Sequence, residues 1–585
     1  MKVLYILEMR EPSTGFFQVT MNVDSVSEDI TMVTMPAWTP GSYSIRDYSR
    51  NVRMLKVKTE ENETIDIQRK DKSTWKLLNG NHKSFIISYE VYAGELNVRG
   101  SHLDTTHGYL NGTNVFMYLE GYKDQSVELL IKPYENWKIS TGMEKIGENR
   151  FRATNYDIFS DCPIEIGNHR SLLFTVDGKE HEIAIYGSGN ENTSRLVEDL
   201  KKIVETARSI FGSIPYKRYV FIIHLMNNGG DGLEHLNSTT IGASMFTFGN
   251  KEDYHAFLSL VSHEYFHLWN VKRIRPVELG PFNYKEENYT TLLWVSEGIT
   301  NFFGMIILLR SGLISKEEYY EHLCKMFRAY DMTPGKNYES ASDSSFDAWI
   351  KLYRASPNNI NSYVSYYLKG EILGLMLSNR ISEYTKGSKN LDEVFKHLID
   401  KYNKDGKGFT EKDFMQSLSE VSALDFQPFF QKYVRGTDSI DFEAEANRLG
   451  LELQFKYSDK EVDQVKGYGY LGLILPKESN IVEAVLEDSA AQKAGIFPGD
   501  EIVAINNFKM GNMFSTPLRK RGRSPLTDCL KDSKPGDLTR IALFRRGILM
   551  NFEAILGRAP HDLYEISEKN EDENLIKIRD KVLFG

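Results

Sequence analysis

The segment His263-Glu264-Tyr265-Phe266-His267 constrains this chain more than any other part of its sequence. Residues four positions apart lie on the same face of a helix, so both imidazoles can reach one metal ion. Glu264 lies about 100° round the helix from His263, close enough to act on a water molecule without binding the metal itself. The pattern is typical of a zinc peptidase. Its alternative is a helix whose two histidines are satisfied by hydrogen bonds.

Strongly apolar segments flank the two histidines and favour the metal site. Residues 256–261 precede the histidines, and Leu268 and Trp269 follow them, which predicts a buried helix over 254–272. Buried histidines and a buried glutamate are costly unless a metal ion or charged partners compensate them.

A catalytic zinc ion takes three protein ligands and keeps one position open, so the two histidines need a partner. Glu297 is the candidate, in a segment over 291–311 that we predict to be a helix. It shares the face away from the core with small or polar residues such as Gly304, which leaves room for a metal ion. The sequence therefore predicts one Zn2+ per chain, bound by His263, His267 and Glu297. A glutamate on a solvated helix face is the alternative.

Composition excludes several classes of protein. The chain has 585 residues, a net charge of −10 and no long basic run, which argues against binding to nucleic acid or to anionic membranes. Its cysteines, Cys162, Cys324 and Cys529, are far apart and odd in number, so they fit a reducing compartment better than a disulfide framework. The sequence contains no apolar run of the length of a membrane span or a signal peptide core, and we expect a cytoplasmic protein.

Pattern changes divide the chain into four segments of a multidomain α+β protein. Residues 1–165 alternate like short strands and predict a β-rich N-terminal domain. Within it, the Pro/Gly turn Trp38–Tyr43 is interpreted as a structural corner, with a substrate contact as the alternative. Residues 166–455 are mostly helical, and 460–560 form a compact unit that is mostly β. Residues 561–585 are rich in charge and predict a solvated helix or a loose tail.

Beyond the candidate zinc helix, helical periodicity in the middle segment is long and amphipathic. It predicts helices over 191–211, 291–311, 316–331 and 361–384. The basic residues Lys272, Arg273 and Arg275 follow the candidate zinc helix. They complement its dipole, and the alternative is a subsite for the carboxylate of short peptides.

Four motifs, taken together, resemble the glycyl aminopeptidase family of gluzincin metallopeptidases, whose catalytic domain is thermolysin-like. The histidine pair and Glu297 resemble the gluzincin ligand set, and Gly230-Asp-Gly-Leu-Glu-His235 is similar to the family's Gly-Gly-Leu-Glu-His motif. Tyr367-Leu-Lys-Gly370 resembles its Tyr-x-Lys-Gly segment, and Trp38–Tyr43 resembles its Trp-x-Pro-Gly-x-Tyr turn. Asp231 departs from the glycine usual in the first motif, where it adds to amine recognition or caps a turn.

A C-terminal PDZ domain is part of the same resemblance. Tyr470, Leu471, Gly472 and Leu473 resemble the loop whose backbone N–H groups bind the carboxylate of a peptide. The segments 489–495 and 498–506 resemble the short helix, turn and following strand of that domain. The resemblance spans about residues 1–560 and implies a peptide or protein C-terminus as a partner at this loop.

The resemblance also implies the reaction and a role for each residue. Glu264 acts as the general base, and Tyr367, or the adjacent Tyr366, donates to the oxyanion. Glu234 and Gly232 bind substrate, with Glu234 holding the α-ammonium group, so the expected activity is release of N-terminal residues, small ones such as glycine or alanine. Two alternatives stay open, a zinc endopeptidase on the same site and a PDZ peptide-binding scaffold with an inactive peptidase fold.

Overall fold

The computed structural model describes residues 2–403, 406–459, 464–476, 479–510, 525–530, 532–569 and 572–585. The chain is a multidomain α+β protein with a β-rich N-terminal domain, a helical middle region and a smaller C-terminal β unit. Among the helices of the described ranges, none is both long enough and apolar enough to cross a membrane.

Alternating burial builds the N-terminal domain, because side chains of successive strand residues point to opposite faces of a sheet. In the first strand Val3, Tyr5 and Leu7 are buried and the residues between them are not. The strands are β1 (Lys2–Glu8), β2 (Phe16–Asp24), β3 (Thr31–Thr34), β4 (Val52–Thr59), β5 (Ile67–Arg69), β6 (Thr74–Leu77), β7 (Phe85–Tyr92), β8 (Ser101–Leu103), β9 (His107–Leu110), β10 (Tyr118–Leu119), β11 (Val127–Lys132), β12 (Lys138–Thr141), β13 (Glu144–Gly147), β14 (Arg150–Ala153) and β15 (Ile164–Gly167), with helices α1 (Gly112–Val115) and α2 (Tyr156–Ser160). They pair in the orders β13-β14-β11-β1-β2-β7-β4, β10-β3-β6-β5 and β12-β15-β9-β8.

A mixed sheet followed by packed helices forms the middle region. The strands are β16 (Arg170–Val176), β17 (Lys179–Tyr186), β18 (Arg218–Met226), β19 (Asp231–Glu234), β20 (Ser238–Ser244) and β21 (Leu451–Lys456). The helices are α3 (Thr193–Phe211), α4 (Lys251–Phe266), α5 (Ile299–Arg310), α6 (Lys316–Asp331), α7 (Ala341–Phe346), α8 (Asn359–Ser362), α9 (Tyr366–Tyr384), α10 (Leu391–Tyr402), α11 (Glu411–Ser422), α12 (Gln427–Phe429) and α13 (Phe442–Arg448). The sheet order β16-β17-β18-β20-β19 puts β19 at an edge.

Two of the predicted helices that differ from those observed lie near the histidine pair. The helix expected over 254–272 ends at Phe266, and the following turn brings the Asn270 carbonyl within 2.7 Å of His267 Nδ1. The helix expected over 291–311 begins with a π-helical turn, Trp294–Gly298, before α5. The helices predicted over 191–211 and 316–331 are confirmed as α3 and α6, and the one predicted over 361–384 corresponds to α9, which begins only at Tyr366.

The C-terminal β unit has its own apolar core and docks on the middle region. Asn361 of α8 contributes to the contact, donating from Nδ2 to the Val485 carbonyl at 2.8 Å and accepting from the Glu487 N–H at 2.9 Å. Its elements are β22 (Gly469–Tyr470), β23 (Leu473–Ile474), β24 (Ala484–Val485), α14 (Ala490–Lys493), β25 (Glu501–Ile505), β26 (Phe508–Lys509), α15 (Pro525–Leu530), β27 (Leu538–Arg545), β28 (Ile548–Ile555) and β29 (Gly557–Arg558).

The segment 561–585 contains a helix, one of the two expectations for it, but this helix packs on the middle region and is not solvated. The chain returns to the middle region as strand β30 (Leu563–Glu568), antiparallel to β21, and helix α16 (Glu573–Phe584). Val582 is fully buried, and the Arg310 guanidinium donates to the carbonyls of Val582 and Leu583. The apolar residues of this helix are few, but their helical spacing places them on one face.

Candidate active site

Two histidines and a glutamate converge where α4 meets the π-helical turn Trp294–Gly298. Their ligand atoms all lie within 4.8 Å of one another. Oε2 of Glu297 is 3.4 Å from Nε2 of His263 and 3.2 Å from Nε2 of His267, and the two Nε2 atoms are 2.9 Å apart. The structure thus brings together the three residues that the sequence predicts as metal ligands.

The π-helical turn explains how Glu297 reaches the histidines. A π-turn holds one more residue than an α-turn and is common at functional sites. A Cβ on Gly298 would overlap the Cα of Gly370, so α9 packs directly against the turn at a glycine–glycine contact. Gly304 of α5 faces the backbone of His263, and an added Cβ would be in ordinary contact with the His263 nitrogen at 3.4 Å.

Asn270 connects the second histidine to the turn that carries the glutamate. Its carbonyl lies 2.7 Å from His267 Nδ1, so Nδ1 carries a hydrogen and Nε2, which faces Glu297, is the nitrogen that can bind a metal ion in the neutral ring. Its side chain donates from Nδ2 to the Val295 carbonyl at 2.8 Å and to Thr300 Oγ1 at 3.1 Å. Partners of this kind fix the tautomer and orientation of metal-binding histidines.

Three buried carboxylates give the cluster an excess of negative charge. Glu234, Glu264 and Glu297 are 3%, 5% and 2% exposed, and Glu234, Glu264 and His267 also have ligand atoms within 4.8 Å of one another. Although burial opposes it, Glu297 and Glu234 raise the pKa of His267 to about 9. A buried cluster of this charge calls for a cation, which makes His263, His267 and Glu297 a fitting site for a divalent metal ion.

Glu264 lies beside the metal-type cluster and against the edge strand β19. Burial, helped by Glu234 and Glu297, raises the pKa of its carboxyl group to about 8. A Cβ on Gly232 would overlap Oε1 of Glu264, so only glycine fits at this point of β19. Oε2 of Glu264 is buried and has no hydrogen-bond partner among the described residues.

The carboxylate of Glu234 points into the same cavity and is covered by the N-terminal domain. A Cβ built on Gly41 would lie 2.6 Å from each of its oxygens. Lys272 is 3.9 Å from Oε1 of Glu234, but it is bound at 2.8 Å by Asp161, and Oε1 makes no hydrogen bond within the described ranges. The turn Trp38–Tyr43 is thus a buried corner that also touches a predicted substrate-binding residue.

The two predicted oxyanion donors differ in position. The Tyr367 ring is 6.2 Å from that of His263, centroid to centroid. Burial, with help from Glu297, raises the pKa of Tyr367 well above its ordinary value, so its hydroxyl is a proton donor. The ring of Tyr366 stacks on Tyr367 at 4.8 Å, and its hydroxyl is buried without a partner in the described part of the chain. Tyr353, which the sequence did not suggest, interacts with Tyr367 through its hydroxyl.

Arg99 is a further residue that sequence reasoning missed. It reaches from the N-terminal domain to Asp231, with Nη1 donating to Oδ2 at 3.0 Å. Asp231 therefore forms an ion pair across the domains, which neither interpretation from sequence anticipated. The basic residues after α4 are held elsewhere, since Arg273 and Arg275 donate mainly to backbone carbonyls and Lys272 to Asp161.

The loop Tyr470–Leu473 of the C-terminal unit bonds inwards through its carbonyl groups. The Leu471 carbonyl accepts from the Ala491 N–H and the Gly472 carbonyl from the Leu486 N–H, both at 2.9 Å. Gly472 has a φ of +76°, which favours glycine, and a Cβ there would overlap Ser489. Within the same unit, residues 477–478 and 511–524 lie outside the described ranges.

Comparisons with known proteins found two matching family domains and a similar solved structure. Residues 4–168 match the Peptidase M61 N-terminal domain, and residues 256–373 match the M61 glycyl aminopeptidase domain. A crystal structure of an aminopeptidase N family protein from Idiomarina loihiensis is similar over 98% of this chain and 99% of that one, with 28% identity and a TM-score of 0.90. No curated protein matches the chain. Domains of the M61 peptidase family and this structural neighbour support a peptidase.

Proposed function

We propose that this chain is a zinc-dependent aminopeptidase that cleaves the bond after the first residue of peptides with a free N-terminus. A preference for glycine or alanine at that residue rests on the family resemblance. The proposed ligands are His263, His267 and Glu297, with Glu264 as general base, Tyr367 as oxyanion donor, and Glu234 and Gly232 at the substrate.

The position of Glu234 carries the proposal. Its carboxylate lies within 4.8 Å of the ligand atoms of Glu264 and His267. Oε1 is buried and has no hydrogen-bond partner among the described residues, so it can accept from an ammonium group. An ammonium held there leaves room for one residue before the scissile bond, so the first peptide bond is the one that meets Glu264.

Gly41 supports an aminopeptidase over an endopeptidase. Its backbone lies against both oxygens of Glu234, so the turn occupies the space beyond the proposed ammonium position. A substrate that continued towards its own N-terminus would have to displace this turn. The turn therefore disfavours an endopeptidase on the same metal site, which is kept as the second candidate.

The donor set of two imidazole nitrogens and one carboxylate oxygen suits a catalytic zinc ion. When bound, zinc supplies Lewis-acid polarisation of the scissile carbonyl and lowers the pKa of water towards about 7. Asn270 holds His267 in the tautomer whose Nε2 can bind the metal. The same buried residues have no evident purpose in a peptide-binding scaffold with an inactive peptidase fold.

The chain's own groups then handle the proton and the oxyanion. Glu264 takes a proton from the attacking water and passes it to the leaving nitrogen. Because Gly232 has no side chain, the carboxylate of Glu264 can lie beside the substrate. Tyr367 keeps its proton and donates a hydrogen bond that strengthens as charge develops on the carbonyl oxygen.

Metal analysis coupled to an assay across aminoacyl anilides tests the proposal. Glu264→Gln should retain zinc and lose nearly all hydrolysis, and wild-type-like turnover in that variant overturns the mechanism. The wild type should cleave free alanyl substrates and leave acetylated ones intact, whereas an endopeptidase would cleave acetylated peptides as well.

Glu234→Ala should weaken the preference for a free amine over an acetylated one. Glu445→Ala is a matched control, because Glu445 is equally buried but pairs with Arg380 away from the site. An unchanged ratio of free to acetylated substrate in Glu234→Ala contradicts the amine-binding role.

We also propose that residues 460–560 form a PDZ domain that binds a peptide C-terminus at Tyr470, Leu471, Gly472 and Leu473. The inward-bonded carbonyls of Leu471 and Gly472 support this, because such a loop leaves its N–H groups for a carboxylate. A labelled peptide should bind with a free C-terminus and not as its amide, and Gly472→Ala should abolish the difference. We also propose a cytoplasmic compartment, because the described cysteines form no disulfide bond.

A further inference from the structure

The N-terminal domain touches the edge strand β19 at both of its ends. At one end the Cβ position of Gly41 lies 2.6 Å from the oxygens of Glu234. At the other end Nη1 of Arg99 donates to Oδ2 of Asp231 at 3.0 Å. The stretch of strand between these contacts includes Gly232, where β19 meets Glu264.

One hydrogen-bond network fixes the spacing of the two contacts. The Arg99 carbonyl accepts from Tyr48 Oη at 3.2 Å and from Asn114 Nδ2 at 2.8 Å. Thr39, two residues before Gly41, lies 2.8 Å from the same Tyr48 hydroxyl and donates to Asn114 Oδ1 at 3.3 Å. Gly41 and Arg99 are therefore presented to β19 by one rigid part of the domain.

One edge of the Arg99 guanidinium, formed by Nε and Nη2, is not used by Asp231. Asp231 is bonded to Nη1, whereas Nε is buried and has no hydrogen-bond partner among the described residues. The side chain as a whole is 24% exposed, and the buried Nε is the donor that is left without a partner. The Nε and Nη2 donors of an arginine together match the two oxygens of a carboxylate.

The surroundings of the Arg99 guanidinium keep it charged at the border of the site. Although burial opposes it, Tyr353, Asp231, Tyr367 and Glu264 hold the pKa of Arg99 above its ordinary value. Its partner Asp231 is adjacent to Gly232, which contacts Glu264, so Arg99 lies near the residues proposed for catalysis. The ion pair with Asp231 is partly exposed on both sides, and such pairs are worth little, so an incoming carboxylate can compete for the arginine.

The direction of a bound peptide follows from the proposed ammonium position. With its N-terminus at Glu234 and its first peptide bond at Glu264 beside Gly232, the peptide runs antiparallel to β19 towards Asp231. An edge strand offers free backbone groups for this pairing. Three residue steps from Glu234 to Asp231 span about 10 Å, which is also about the length of an extended tripeptide.

We infer that Arg99 binds the C-terminal carboxylate of short substrates through its Nε edge, and that this site selects peptides of about three residues with both termini free. The inference rests on the proposed aminopeptidase function for the position of the N-terminus. It gives the N-terminal domain a part in specificity, with Gly41 limiting one end of the substrate and Arg99 holding the other.

Binding to the full-length Glu264→Gln variant, in which turnover is blocked, tests the inference by calorimetry. Trialanine should bind at least about 10-fold more tightly than trialanine amide, the difference expected for a charge-assisted pair. A six-residue peptide and its amide should bind alike, because the carboxylate then lies beyond Arg99. Equal binding of the two tripeptides overturns the inference.

Substitutions in the same background separate the role of Arg99 from a structural one. Arg99→Gln should bring the acid-to-amide ratio to about 1. Asp231→Asn should raise the ratio, because it removes the competing carboxylate and keeps the side-chain shape. Arg50→Gln is the matched control, an exposed ion-paired arginine of the same domain, and should leave the ratio as it was. Equal losses for acid and amide in Arg99→Gln would mean that Arg99 only joins the domains.

Failure of the proposed function gives a different result from failure of the inference. If the wild-type enzyme cleaves neither tripeptide, the aminopeptidase proposal is wrong. If it cleaves acid and amide with the same kcat/KM, the aminopeptidase stands and the carboxylate subsite is wrong. An acid preference that survives Arg99→Gln also rejects the subsite.

Discussion

Gly41 and Glu234 meet across the boundary between the N-terminal domain and the middle region. Gly41 has a φ of +85°, and a Cβ at that position would lie 2.6 Å from both carboxylate oxygens of Glu234. Two features therefore favour glycine at this position. The positive φ suits glycine, and a side chain would collide with the Glu234 carboxylate. A turn far away in the sequence shapes the pocket in which we propose that the substrate's amine binds.

Gly41→Ala should displace the Glu234 carboxylate and lower kcat/KM on a free alanyl anilide by about 10- to 100-fold, the loss expected for a misplaced charged hydrogen bond. The control is Gly121→Ala, because Gly121 has a φ of +82° and an added Cβ would meet no atom within 4 Å. The control carries the same backbone strain of about 1–2 kcal/mol without the contact. Equal activity losses in the two variants would show that strain alone is responsible.

Tyr367→Phe and Tyr366→Phe should separate the two adjacent tyrosines. Tyr367→Phe removes the proposed oxyanion donor and should lower kcat by about 100- to 1000-fold with little change in KM. The Tyr366 hydroxyl is buried without a partner in the described ranges, so Tyr366→Phe should be neutral or slightly stabilising. Steady-state kinetics with thermal unfolding checks both, and a larger kcat loss in Tyr366→Phe would reverse the assignment.

Asn270→Ala should weaken metal binding, because it releases the π-helical turn of Glu297 from the end of α4. Loss of a partner that orients metal ligands costs about 10- to 100-fold in affinity. Chelator competition measures this. Asn79→Ala is the control, a fully buried asparagine of the N-terminal domain whose side chain also donates to a backbone carbonyl. Equal metal retention in both variants would contradict the role of Asn270.

The sequence identifies those parts of the site that depend on local pattern. His263 and His267 are recognisable because a spacing of four residues puts them on one helix face whatever the rest of the chain does. Glu297 is recognisable from the small residues that share its face, although its π-helical turn is not. This turn packs on α9 through the contact between Gly298 and Gly370, which are distant in sequence.

Arg99, Asn270 and Tyr353 show what local pattern cannot predict. Each acts through a partner from another segment, Arg99 through Asp231, Asn270 through Val295 and Tyr353 through Tyr367. Residues around Arg99 read as an ordinary polar loop, and its role depends on how two domains meet. The packing of helix α16 was missed for a related reason. Its few apolar residues stabilise the helix only where another part of the chain packs against them.

A hydrogen-bonded chain supports α4 from the side of the mixed sheet. His181 Nε2 lies 2.7 Å from Tyr216 Oη, which in turn lies 2.6 Å from the hydroxyl of Tyr265, the residue midway between the two histidines. Burial lowers the pKa of His181 to about 4. The folded protein therefore holds this histidine neutral at pH values where the unfolded chain protonates it.

The low pKa of His181 should make the protein less stable in mild acid. Between its ordinary value of about 6.5 and the folded value of about 4, the unfolded state binds the proton, so the free energy of unfolding falls as the pH falls, by about 2–3 kcal/mol in all. His181→Gln keeps a polar group beside Tyr216 and does not titrate. The stability advantage of wild type over this variant should therefore shrink from pH 7 to pH 4, measured by urea unfolding.

His82→Gln, at an exposed position, is the control and should leave the pH dependence of wild type as it is. A constant difference between wild type and His181→Gln across this range would show that His181 does not carry the effect.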